Sequence, residues 1–200
     1  MRITIVSSTF IPLPPAGCGA VERVWDGLAR EFARRGHKVT FICRNHVSQQ
    51  ADEIIDNVHF IRRTNFNQTR WRTVNLAKGF AYAARIIPLL PKSDILVIND
   101  VCTALTILRF PVSRGKIVLN LQRIPKLFSG RLLFPPADSL VAASGAVREV
   151  VSKLFPNLLT KLQVIGNPIY TDIFKTPVQT RTVRNKKRLL YTGRIHPEKR

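Results

Sequence analysis

Gly17 and Gly19 stand in a proline-rich loop, FIPLPPAGCGA, between a β-branched run and a helical pattern. That placement suits phosphate, because backbone N–H groups approach an anion closely where no side chain intervenes, and a helix N-terminus adds the positive end of its dipole. The spacing is G-x-G without the further glycine of a nicotinamide fingerprint, and two turn-forming glycines are the competing reading. Glu22 follows in the first helical turn, where an acid complements the helix dipole. Asn99 and Asp100 end an apolar run, DILVIN, at the edge where such sheets bind ligands. They are read either as contacts to ligand hydroxyls or as a strand-ending turn. Cys18, Cys43 and Cys102 are odd in number and far apart, so they write neither a disulfide framework nor a zinc cluster, and a reducing compartment fits them. His37, His46, His59 and His196 show no metal-ligand spacing, so no metal site is expected.

The elements that must hold these residues alternate between strand and helix. Residues 2 to 7 (RITIVS) form a strand, and Val21, Val24, Trp25, Leu28, Ala29 and Phe32 mark one face of a helix that Gly36 stops. Lys38 to Cys43 is a second strand, which completes a βαβ unit with a parallel sheet. Val58 to Arg62 is a short strand. Val74, Ala77, Phe80, Ala81, Ala84 and Ile87 trace a helix face that Pro88 ends. Asp94 to Asn99, Lys116 to Leu121, the weaker Ser139 to Ala142 and Gln163 to Ile165 are further strands. Ser144 caps a helix whose face is Val147, Val150, Val151 and Leu154. The fold class is therefore α/β, a doubly wound, mostly parallel Rossmann-like sheet of about seven strands.

Composition changes after Phe174. Residues 1–174 read as one domain, 175–187 as a basic linker with five cations and no acid, and 188–200 as the first strand and loop of a second domain that the chain enters and then stops. The 200 residues carry a formal charge of +20, with 32 Lys and Arg against 12 Asp and Glu. At 45% hydrophobic residues a disordered chain is excluded, and the charge points to anionic partners without choosing among them. Residues 57 to 93 hold seven basic residues and 101 to 137 six, with no acid in either stretch. The initial apolar stretch is too short for a signal peptide and no apolar run reaches about 18 residues, so a cytoplasmic location, peripheral on a membrane, is expected.

Four segments, PPAGCGAVERVWDGLAREFARRGHKVTF, ADSLVAASGAVREVVSK, VIGNPIYTDIF and LLYTGRIHPEK, occur in an order that resembles family 4 glycosyltransferases of the GT-B type. The resemblance implies the N-terminal, acceptor-side half of an enzyme with two Rossmann-like domains. Such an enzyme moves sugar from a nucleotide-sugar donor to an acceptor with retention, needing neither metal nor cofactor. It places the Gly17 and Gly19 loop beside the donor diphosphate, with Arg194 and Lys199 as the basic pair that neutralises the departing phosphates; a solvated basic terminus is the alternative for that pair. It puts Glu22 in the same motif and on the acceptor side, and sets Arg123 and Lys126 near phosphate or acceptor; Asn99 and Asp100, by their strand-end position, are also expected to bind the acceptor. Gln122 takes the position where the family often has a histidine, so it is expected to orient sugar hydroxyls, and being unable to titrate it has no acid-base role. A plain surface loop is the competing reading for residues 121–126.

The expected partners are a nucleotide sugar, a glycan or lipid-linked acceptor and an anionic membrane surface. Nucleic acid is disfavoured, since aromatics are only 8% and no binding motif appears. Without the second domain the chain alone is expected to be inactive. The alternative is a non-catalytic truncated product, or a module that binds an acceptor or an anionic surface.

Overall fold

The computed structural model describes residues 1–7, 9–13, 19–47, 49–107, 114–123, 137–171 and 173–175. The chain divides into two compact units, Met1–Pro168 and Ile169–Arg200. In the second, the described residues form a turn in which the amides of Ile173 and Phe174 donate to the Tyr170 carbonyl at 3.1 and 2.9 Å.

The first unit is one eight-stranded sheet with helices on both faces. Its elements are β1 (Arg2–Val6), α1 (Ala20–Arg34), β2 (Lys38–Arg44), β3 (Asp52–Ile55), β4 (Val58–Arg63), α2 (Arg72–Ile86), β5 (Ser93–Ile98), α3 (Val101–Ile107), β6 (Arg114–Leu121), β7 (Ser139–Ala142), α4 (Gly145–Leu154) and β8 (Leu162–Val164). The strand order is β3-β4-β2-β1-β5-β6-β7-β8, and every pair is parallel except β3 with β4. From β1 the chain builds outward to β4, then returns past β1 to lay down β5 to β8. Side chains alternate across the sheet. Ile3, Ile5, Val39, Phe41, Val58 and Phe60 join Ala29 and Ala33 of α1 in one core. Val6, Ile42, Leu96 and Ile98 join Tyr82 and Ile86 of α2, Ile107 of α3, and Val147 and Val151 of α4 in the other.

Local chemistry sets the element ends. α1 stops at Gly36, whose φ of 81° is left-handed, with Gly36 N–H donating to Ala33 O at 2.9 Å and His37 N–H to Phe32 O at 3.1 Å. α4 starts at Ser144, whose hydroxyl accepts from the Val147 amide at 3.3 Å. α2 ends where expected, passing into a short 3-10 turn over Ile87–Leu89 that contains Pro88.

Three features depart from expectation. β3 is an eighth strand, joined to β4 by a two-residue turn in which Asp56 and Asn57 both have positive φ, 48° and 62°. α3 follows β5 directly. The third is the orientation of α2, which buries Gly79, Tyr82, Ala83 and Ile86. Val74, Ala77, Phe80, Ala81 and Ala84, the expected core face, point to solvent, and of that set only Ile87, just past the helix, is buried. Gly79 decides this orientation, because its missing side chain lets α2 approach α3: a Cβ there would lie 2.7 Å from Cys102 Sγ.

Candidate active site

The reversal in strand order leaves β1 and β5 side by side with connections that leave in opposite directions, and open sheets of this kind bind ligands in the crevice at the carboxyl edge of such a reversal. Asn99 follows β5 at that reversal. The Val6 carbonyl at the end of β1 accepts from the Asn99 amide at 3.1 Å and from Asn99 Nδ2 at 3.2 Å. Asn99 Oδ1 in turn accepts from Asn120 Nδ2 at 2.7 Å, so the two carboxamides tie β1, β5 and β6 together just below the crevice. Asn120 is buried and was not singled out in the sequence, although an asparagine inside the run KIVLNL is an unusual strand residue.

Asp100 caps α3. Its Oδ2 accepts from the Thr103 amide and the Thr103 hydroxyl, both at 2.8 Å. Burial pushes its carboxyl above the ordinary range, opposed by those bonds from Thr103. Its carboxylate is thus partly committed to holding the helix start beside the crevice.

The segment after β1 is held by side chains from far along the chain. Asn65 Nδ2 donates to the Thr9 carbonyl at 2.8 Å, Arg44 to the Phe10 carbonyl at 2.6 Å and Arg62 Nε to the Leu13 carbonyl at 3.0 Å. Arg62 is fully buried over the Phe60 ring and also pairs with Glu53 and with the Gln50 carbonyl. Its charge is therefore compensated inside the protein, as a buried cation requires. These three residues fix the approach to the glycine loop, and none was expected to do so.

Gly19 ends that loop, and its carbonyl accepts from the Arg23 amide at 3.0 Å in the first turn of α1. Glu22 is buried in the same turn, 3% exposed. Beyond β6, Gln122 and Asn167 form a reciprocal pair, each carboxamide donating to the other at 3.0 Å. The Gln122 side chain is thereby oriented at the carboxyl edge by a residue that follows β8. Arg123 next to it is exposed. Gly17, Lys126, Arg194 and Lys199 lie outside the described residues, as does Cys18. Burial raises the Cys43 and Cys102 thiols to about 12, which leaves them protonated and inert. Among the described residues no cluster of His, Cys, Asp or Glu could hold a metal ion.

Residues 21–173 match the family model described as Glycosyltransferase Family 4. The chain belongs to glycosyltransferase family 4. Solved structures agree with the fold. The catalytic domain of starch synthase IV from Arabidopsis thaliana, bound to ADP and acarbose, is 14% identical with a TM-score of 0.58, over 86% of this chain and 52% of that one. Sucrose-phosphate synthase from Thermosynechococcus elongatus is 12% identical with a TM-score of 0.66, over 86% and 49%. A glycosyltransferase from Rickettsia africae is 18% identical with a TM-score of 0.53, over 88% and 46%. The family 4 chain thus spans about half the length of these structures. No curated protein sequence matches it significantly. No helix among its described residues is long and apolar enough to cross a membrane.

Proposed function

We propose that this family 4 chain forms the acceptor side of a retaining, metal-independent glycosyltransferase that takes a nucleotide-activated sugar, with no cofactor beyond that substrate. The observation that carries this reading is the strand-order reversal between β1 and β5 in a chain of this family. At its rim the segment after β1 is fixed at three carbonyls and Gln122 is held by Asn167. Gly17 and Gly19 present backbone amides to the donor diphosphate, and Arg194 and Lys199 neutralise the leaving phosphates in place of a metal. Gln122 orients a sugar hydroxyl. Glu22, Asn99, Asp100, Arg123 and Lys126 line the acceptor side, directly or by holding its walls. The acceptor is a glycan or a lipid-linked glycan, met by a cytoplasmic protein peripheral on an anionic membrane. The 200 residues alone turn over no donor.

The test is a transfer assay in EDTA with a panel of nucleotide sugars and soluble acceptors, run on this chain and on any longer product of the same reading frame. The expected result is transfer by the longer product only, with the donor's anomeric configuration kept in the product by NMR. An inverted product, or loss of transfer in EDTA, would overturn the mechanism. If the reading frame stops at Arg200 and the chain binds a glycan without turnover, the protein is a binding module.

A further inference from the structure

α2 turns Val74, Phe80 and several alanines outward, with Arg85 beside them. Val74 and Phe80 are 41% and 37% exposed, Ala77, Ala81 and Ala84 are exposed, and the segment leading into the helix adds Phe66 and Trp71, each 59% exposed. Apolar surface of this kind is costly on a protein that keeps it in water. Its border is cationic. The Arg70 guanidinium lies 4.8 Å from the Trp71 ring centroid, Lys78 Nζ lies 5.7 Å from that of Phe66, and Arg72 and Arg85 flank the helix at its two ends. Residues 57 to 93 contain no acid at all.

We propose that the outward face of α2, with Phe66 and Trp71, is an interfacial surface that lies against an anionic lipid bilayer. Aromatic rings settle at headgroup depth, short apolar side chains enter the acyl boundary, and long basic side chains reach back to lipid phosphates. Charge complementarity selects this occupant: a second copy would set one +20 chain against another across the same cations. The surface also adjoins the crevice. Asn65 bonds the Thr9 carbonyl, and Arg44 and Lys78 both bond Asn67, so the segment that carries Phe66 and Trp71 rests on the segment after β1. Seated this way the crevice opens beside the headgroups; the proposal rests on the proposed function for its membrane partner and deepens it by naming the surface that meets the lipid.

The test uses the 200-residue chain with Trp25→Phe, which leaves Trp71 as the only tryptophan. It is mixed with vesicles of phosphatidylcholine with and without phosphatidylglycerol. Expected are salt-sensitive cosedimentation with the anionic vesicles alone and a blue shift of Trp71 emission. In the unmodified chain Trp71→Ser should weaken vesicle binding about tenfold, and Arg72→Gln about fivefold, with circular dichroism unchanged. Vesicle binding that leaves Trp71 emission unmoved and survives Trp71→Ser would overturn the proposal. So would tighter binding to duplex DNA than to the anionic vesicles, or lipid-free self-association that Trp71→Ser abolishes. The transfer assay above uses soluble acceptors and no lipid, so failure of this surface and failure of the transfer reading are told apart.

Discussion

α2 and α4 pack into the same core and present opposite kinds of surface. α4 buries Val147 and Val151 and turns Arg148, Glu149 and Lys153 to solvent, with Lys153 paired to Glu149 at 2.7 Å. α2 buries Gly79, Tyr82, Ala83 and Ile86 and turns out Val74, Phe80 and three alanines. The difference lies in what each helix could afford to expose. In α4 a charged face cannot be buried without partners, so only one orientation is available. α2 has no acidic residue and several alanines, so burial of either side is tolerable. Contact with α3 through Gly79 chooses between them, and the face left over is apolar along its middle, with Arg72 and Arg85 at its ends.

Ile86→Ala tests this comparison with the largest effect. Ile86 is fully buried, and its truncation is expected to cost about 2 to 5 kcal/mol in urea unfolding. A cost below about 0.5 kcal/mol, the level of an exposed substitution, would mean that α2 is held by its other face.

Gly79→Ala comes next. At an exposed helix position this change stabilises by about 1 kcal/mol. Here the new Cβ meets Cys102 Sγ at 2.7 Å and Cys102 Cβ at 3.2 Å, so a net loss of about 1 to 3 kcal/mol is expected. Adding Cys102→Ala removes the sulfur and should recover part of that loss, which a double-mutant cycle reads directly. Additive effects of the two changes would show that the α2–α3 contact does not set the orientation.

The same contrast explains what could be read before the fold was known. β1, α1, β2, β5, β6 and α4 were legible because each pairs a strong periodicity with a stop or cap, such as Gly36 or Ser144. α2 was legible as a helix but not as to its face, since Val74, Ala77, Ala81 and Ala84 match helical spacing as well as Tyr82 and Ile86 do. β3 was missed because DEII is short, acidic and at the sheet edge, with Ile54 exposed; its one signal is Asp56-Asn57, a turn pair suited to positive φ. α3 has seven residues and no polar face, and the Asp100 and Thr103 cap was its only mark. Asn99 and Asp100 stood out by their position at a strand end, and Gln122 by the resemblance to a family that often has a histidine there. Arg44, Arg62 and Asn65 did not, because their partners are loop carbonyls 34 to 56 residues away, and no spacing rule encodes such a bond.

The smallest effect is the most exacting test of the comparison. Val74→Ser removes an apolar side chain from the outward face of α2, and serine's helix propensity is close to valine's. Val74 is 41% exposed, so unfolding free energy should move by less than about 0.5 kcal/mol. The matched change Val151→Ser on α4 puts a hydroxyl into a fully buried site and should cost several times more. Equal losses at the two positions would mean that Val74 is covered in the folded chain, and α2 would then resemble α4 after all. A loss at Val151 alone leaves the outward face of α2 free of any duty in folding. Its apolar character would then have to be accounted for by what the protein touches.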